Sequence, residues 1–198
     1  MDTEFKRTIK KFFIDFFGGI KVYPGGIVFF GQSSYKLTGE DVRTLLELIE
    51  PGDIIINRRD HYVSNWFIEG TFSHVGLYVG DNRVIHVATD GIKNEDVIVF
   101  TRADALAIVR PKNKGLIPTA IYLAYELFKK GVRYDYDFNM KSPEEFYCTE
   151  FTDYCYGYGL RNILPNGRKY ILPDDYIKSS ELFELIWIKD TYDRGKYK

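Results

Sequence analysis

Cysteine, tryptophan and methionine each occur only twice in this chain, and histidine three times. Two cysteines, Cys148 and Cys155, cannot build the dense disulfide framework of a small secreted domain. On one helix, their seven-residue spacing would hold the Cα atoms roughly 10 Å apart. A disulfide spans less than about 7 Å. At least one thiol is therefore free, which suits a reducing compartment, and a cytoplasmic location is the expectation. No CxxC or HxxxH pair occurs, so zinc-ligand spacing is missing and no metal or other cofactor is implied. Charge of one sign is also lacking. The formal net charge is −1, which leaves no global field to recruit nucleic acid. Long hydrophobic runs are absent too. The N-terminal stretch MDTEFKRTIKKFFIDFFGG is interrupted by Lys10, Lys11 and Asp15. It is too short and too charged to span a bilayer, and no small-residue cleavage site follows it, so no signal peptide is expected.

Aromatics are abundant: 16 Tyr and 15 Phe bring the aromatic share to 17%. Such a content serves either an aromatic core or a wet binding groove, and the core is the expectation. Apolar residues at 45% and charged residues at 28% are ordinary for a globular protein. The 198 residues suit one domain with a short extension. The extension is read as residues 1–45 and the main domain as residues 46–198. Phe5, Ile9, Phe12, Phe13 and Phe16 fall at helical spacing, which predicts an amphipathic N-terminal helix. Its stripe is expected to pack on the domain; membrane contact through that helix is the alternative.

Further along, Pro24-Gly25-Gly26 predicts a turn and the apolar run after it a strand. Thr38-x-x-Asp41 predicts a capped helix carrying Leu45 and Leu48. Ile54-Ile55-Ile56, Phe72 to Gly80, Arg83 to Ala88, Val97 to Phe100 and Ala107 to Arg110 read as strands. Pro118 to Lys130 reads as a helix closed by Gly131. A second helix runs from near Tyr147 to Gly157, after a break at Pro143–Glu145, and Leu185 to Ile188 is the last strand. Helices segregated around a mostly antiparallel sheet define an α+β fold.

Within Ser73-His74-Val75-Gly76-Leu77-Tyr78-Val79-Gly80, alternation puts Val75, Leu77 and Val79 on one face and His74, Gly76 and Tyr78 on the other. Gly76 leaves room for another group to approach. His86 follows twelve residues after His74. A three-residue loop at Asp81 to Arg83 would put both histidines on one face, whereas a two-residue loop would separate them. Direct contact would need a bulge or strong twist. Cys148 near a helix start is a candidate nucleophile, because unpaired N–H groups there favour a thiolate and can hold an oxyanion. Cys155, in mid-helix among Tyr154, Tyr156 and Tyr158, reads as core. His61, in the polar stretch NRRDHYVSN, reads as a loop residue.

SHVGLYVGDNRVIHV resembles the histidine strand of the NlpC-type cell-wall peptidases and of the lecithin:retinol acyltransferase-like proteins. In both, a base histidine is followed twelve residues later by a histidine that orients it. LIEPGDIII resembles the strand entry before it, and YCTEFTDYCY lies about seventy residues after it, an inverted order. With the closing LPDDYIKSSELFELIW, the pattern over roughly residues 48–190 looks most like the YiiX-like permuted papain-like amidases, which commonly carry Glu where His86 stands. The resemblance implies a circularly permuted papain-like fold, its sheet open or closed into a small barrel, packed against helices. It also implies Cys148 as nucleophile, His74 as general base and His86 as orienter. The implied reaction is hydrolysis of an amide, in a cell-wall peptide or an N-acyl amino acid, through a thioester. A thiol acyltransferase or lipase acting on lipids is the alternative, and a binding module without turnover is a third reading.

Overall fold

The computed structural model describes residues 7–13, 21–23, 27–29, 35–60, 69–138, 142–164 and 168–190. Its centre is a six-stranded sheet in the spatial order β10-β7-β3-β4-β5-β6, every neighbouring pair antiparallel. The strands are β3 (Ile54–Arg58), β4 (His74–Gly80), β5 (Arg83–Ala88), β6 (Gly91–Asp96), β7 (Ala105–Pro111) and β10 (Phe183–Lys189). The sheet is open: β10 and β6 are its edges and do not pair, so the small-barrel form of the expected fold does not occur. Closure is one way to bury a sheet, and helices on both faces are another.

The second way is used here. On one face, α4 (Ile117–Lys130) supplies Ala120, Ala124 and Leu127, α5 (Cys148–Cys155) supplies Phe151 and Cys155, and α6 (Pro173–Lys178) supplies Tyr176. They pack on Ile54, Ile56, Val75 and Leu77. On the other face, Leu45 of α2 (Gly39–Leu48) and Val97 and Phe100 of α3 (Val97–Phe100) cover Ile55, Tyr78 and Val84. This double cover is why Ile54, Ile55 and Ile56 can be apolar in a row: each is fully buried, on alternate faces. Each contributes about 1.5–3 kcal/mol of hydrophobic stabilisation.

Local signals set most element ends. Thr38 caps α2 by accepting the Asp41 N–H, and the Asp41 carboxylate accepts the Thr38 N–H at 2.8 Å. Gly131 ends α4 in the left-handed region at φ 67°. Residues 7–13 are helical and are designated α1. Phe5 and Phe16 lie outside the described residues, and Ile9, Phe12 and Phe13 are exposed. Arg7 meets Glu145 and Lys10 meets Asp137, so α1 touches the domain through charged side chains. A short antiparallel pair, β1 (Lys21–Tyr23) with β2 (Ile27–Phe29), follows, its turn at Pro24-Gly25-Gly26 lying outside the described residues. His61 lies outside them as well. No helix among the described residues is long and apolar enough to cross a membrane.

One strand reading is corrected, and one further strand is found. Val97 to Phe100 is a single helical turn, because the Asp96 side chain accepts the Ile98 N–H at 2.8 Å and starts a turn despite four β-favouring residues. Gly91–Asp96, which carries no apolar alternation, is a strand because β5 offers it a full register from Ala88↔Gly91 to Arg83↔Asp96.

Candidate active site

Asp81 and Asn82 form the turn between β4 and β5, both with positive φ (49° and 58°). Two such residues match the twist of a tight hairpin. The loop therefore has two residues, not the three that a shared histidine face seemed to need. A bulge restores the parity. Gly80 pairs with Arg83, yet Tyr78 pairs with Val84, so Val79 is an extra residue on β4. Tyr78 and Val84 then share a face, and counting back four residues and forward two puts His74 and His86 on it too.

The two imidazoles meet there. His74 Nε2 lies 2.9 Å from His86 Nδ1, a hydrogen bond between rings nearly perpendicular to one another. Phe100 covers both, its ring centroid 5.6 Å from His74 and 5.0 Å from His86. Gly76 makes this possible, since a Cβ there would stand 2.9 Å from the Phe100 ring and 2.5 Å from Val84. The protein packed around His74 pushes its pKa well below the ordinary imidazole value, and the charges of His86, Arg59 and Lys93 push the same way. His74 is thus neutral at pH 7, the state a general base requires. His86 is buried, and its second nitrogen, Nε2, lies 3.5 Å from Glu95 Oε2 on β6. That is within ion-pair range but is not an aligned hydrogen bond, and among the described residues Nε2 has no hydrogen-bond partner.

Cys148 is the first residue of α5, with Tyr147 as its extended N-cap. The segment before it turns at Pro143 and Glu144 and pairs β9 (Glu145–Phe146) with β8 (Arg133–Tyr134). Hence the helix starts after Tyr147 and not at Ser142. Its start is anchored from the C-terminal segment. The Thr149 hydroxyl donates to the Ile171 carbonyl at 2.8 Å, the Tyr147 hydroxyl accepts the Ile171 N–H at 3.0 Å, and the Tyr176 hydroxyl donates to the Thr149 carbonyl at 2.8 Å. Asp174 on α6 ties in the approach to β4 by accepting the Thr71 N–H at 2.8 Å. The closing LPDDY stretch thus braces both the helix that carries Cys148 and the strand that carries His74.

The Cys148 thiol is buried, and burial pushes its pKa up to about 11. The N–H groups of Val75, Thr149 and Cys148 itself act in the opposite direction without prevailing. The expected lowered pKa at the helix start is therefore corrected: desolvation outweighs the helix-terminus effect, and the resting group is a neutral thiol. Burial alone acts on Cys155, and drives its thiol higher still.

Cys148 and His74 do not hydrogen-bond to each other. The sulfur sits at the backbone N–H of Val75, the residue directly after His74, while His74 Nε2 is held by His86. The imidazole nitrogen left over is Nδ1, the ring nitrogen closer to its own backbone. An aromatic group flanks the thiol: Tyr134 stacks edge-on with Tyr136 and Phe138, and Phe138 packs on Tyr147. Glu150, one turn into α5, is buried, and burial with the neighbouring Asp135 charge raises it to about 8.

Three residues around the site escape a reading of the sequence. Glu95 would have been placed by the strand parity of β6, had that strand been recognised. Phe100 ends a run, Val97 to Phe100, whose residues favour a strand. Glu150 gave no signal, since an acidic residue in a first helical turn is ordinary. No curated protein matches the chain. The pattern of one family matches residues 48–173, a stretch that contains Cys148, His74 and His86 and so both sides of this arrangement. The chain belongs to that family, described as permuted papain-like amidase enzyme, YaeF/YiiX, C92.

Proposed function

We propose that this protein hydrolyses amide bonds through Cys148, with His74 as general base and His86 as the group that orients it. The carrying observation is the position of the thiol at the N–H of Val75, the residue that follows a neutral His74 whose Nε2 is already engaged by His86. A thiol at about 11 cannot ionise on its own at pH 7. Attack is then coupled to proton transfer. The S–H proton passes to His74 Nδ1 as sulfur bonds to the amide carbonyl carbon, and the carbonyl oxygen becomes an oxyanion. The Cys148 N–H, at the start of α5, is the donor placed to hold it. Collapse breaks the C–N bond, and the departing amine takes the proton from His74. Water, giving a proton to His74, then attacks the thioester and releases the acid and the thiol.

A small peptide or an N-acyl amino acid is the substrate class, and the protein works in the cytoplasm. A lipid acyl substrate is the second reading, favoured by exposed Ile9, Phe12 and Phe13 on α1. The test is a thiol-directed activity probe, followed by a panel of muropeptides, acyl-amino acids and phospholipids, run with wild type and Cys148→Ala. Release of amine that stops in Cys148→Ala supports the amidase. Turnover confined to phospholipids supports the second reading, and unaltered turnover in Cys148→Ala overturns both.

A further inference from the structure

The bond between His74 Nε2 and His86 Nδ1 can be written in two ways, and only one of them leaves a base. Each neutral imidazole carries one N–H and one lone pair. If His74 Nε2–H donates, His86 Nδ1 accepts, His86 carries its proton on Nε2, and the His74 lone pair is on Nδ1. If His86 Nδ1–H donates, His86 Nε2 carries a lone pair, and His74 Nδ1 carries a proton and cannot accept one from a thiol. The outcome therefore depends on what faces His86 Nε2. That atom is buried and has no aligned hydrogen-bond partner among the described residues, and the group 3.5 Å from it is the Glu95 carboxylate.

Register explains how Glu95 gets there. On β6, Lys93 stands opposite His86 and Glu95 opposite Val84. Val84 and His86 share a face, so Glu95 is the diagonal neighbour of His86 on that face. Lys93 is held by Asp90 at 2.9 Å, and Arg59 adds a second positive charge in the vicinity. Contact with His86 is the main cause that keeps Glu95 below the ordinary carboxylate value, with His86, Arg59 and Lys93 charges adding to it, so Glu95 is ionised at pH 7. A carboxylate facing an imidazole nitrogen favours the N–H there and repels a lone pair.

We propose that Glu95 is a positioning residue of this site: its carboxylate keeps the proton on His86 Nε2, so that His86 Nδ1 accepts from His74 Nε2–H and the His74 lone pair is left on Nδ1, free to take a proton. Glu95 touches neither thiol nor substrate and takes up no proton. It acts through two rings in series, as a carboxylate sets the tautomer of a catalytic histidine through one. The role rests on the hydrolase reading above, but its first test does not require turnover.

Long-range proton–nitrogen correlation spectra of the full chain at pH 7.5 report which nitrogen of each imidazole carries the proton. Wild type is expected to show both His74 and His86 protonated on Nε2. Glu95→Leu, at a position with a quarter of its side chain exposed, is expected to show a mixture of tautomers at both rings. Glu95→Gln retains an acceptor without the charge and is expected to lie between them. His86 protonated on Nδ1 in wild type overturns the proposal, as does an unchanged pair of tautomers in Glu95→Leu. For turnover, Glu95→Leu should lower kcat about tenfold or more with KM within about twofold. The acid limb of its pH profile should move to lower pH, because His74 loses a stabilising negative charge. A structural role would move neither the tautomers nor that limb. Should Cys148→Ala remain active, the hydrolase reading fails while the tautomer result stands or falls by itself.

Discussion

Cys148 and Cys155 stand at the two ends of one eight-residue helix, both buried, both free, both with thiols raised by desolvation. What separates them is the backbone around each sulfur. Cys148 opens the helix, where N–H groups lack intrahelical acceptors, and the Val75 N–H from β4 also points at its sulfur. Cys155 closes the helix among apolar neighbours, with burial alone acting on it. Burial by itself makes a cysteine an inert core residue. Burial with converging backbone donors is what sets Cys148 apart and fits it for the nucleophile's role proposed above.

The largest effect should come from deleting the Cys148 thiol, with Cys155 as the control. Cys148→Ala is expected to lower amide turnover by at least about 10⁴-fold, since no other group can form the thioester. Cys155→Ala should leave turnover within about twofold and lower Tm by a few degrees through lost core packing. Progress curves on an amide found in the substrate panel, with melting curves alongside, would decide it; comparable losses in both variants would break the comparison.

Removing the base comes next. His74→Ala should cost about 10²–10⁴-fold in turnover, the usual share of general acid–base catalysis. His86→Ala should cost less, because His74 Nδ1 remains and only its orientation is loosened. If His86→Ala proved the more damaging of the two, the order of roles would be reversed.

Alkylation sharpens the contrast without any substrate. Brief iodoacetamide treatment at pH 8, read by mass spectrometry, should label Cys148 at least about tenfold faster than Cys155. His74→Ala should narrow that ratio, because the Cys148 thiol at about 11 depends on its neighbour to lose its proton.

The smallest effect concerns Glu150, on the same end of α5 as Cys148. Its carboxyl moves from 4.5 to about 8 on folding. Between those values the folded chain keeps a proton that the unfolded chain has lost, so this group's stability contribution is full below pH 4.5 and declines as pH rises towards 8. Glu150→Gln removes the decline. Its Tm advantage over wild type should be near zero at pH 4.5 and reach about 10 °C at pH 8.5. An advantage that stays constant across that range would show that Glu150 does not titrate with folding.

The histidine strand was legible because its pattern is local. Alternation in His74 to Gly80 assigns faces to side chains whatever surrounds them, and Asp81-Asn82 tolerates the positive φ of a tight hairpin. The same alternation could not show that Val79 bulges out, and it is this bulge that puts His86 on the His74 face. Phe100 was misplaced because Val97 to Phe100 has strand propensity, whereas the Asp96 cap and packing against the sheet made it a turn. Glu95 stayed hidden because β6 has no apolar alternation: it is an edge strand of intermediate burial, recruited by pairing with β5.

By itself, then, the sequence determined the helices and most strands, the side of the sheet each residue of β4 faces, and Cys148 as the cysteine at a helix start. These depend on φ/ψ preferences and side-chain periodicity over a few residues. Only the tertiary structure decided that the sheet stays open between two helical layers, that two imidazoles meet beneath Phe100, and that burial keeps Cys148 a thiol and His74 neutral. Those outcomes depend on distance through space and on the exclusion of water around a group, and both are set by segments far apart in the chain.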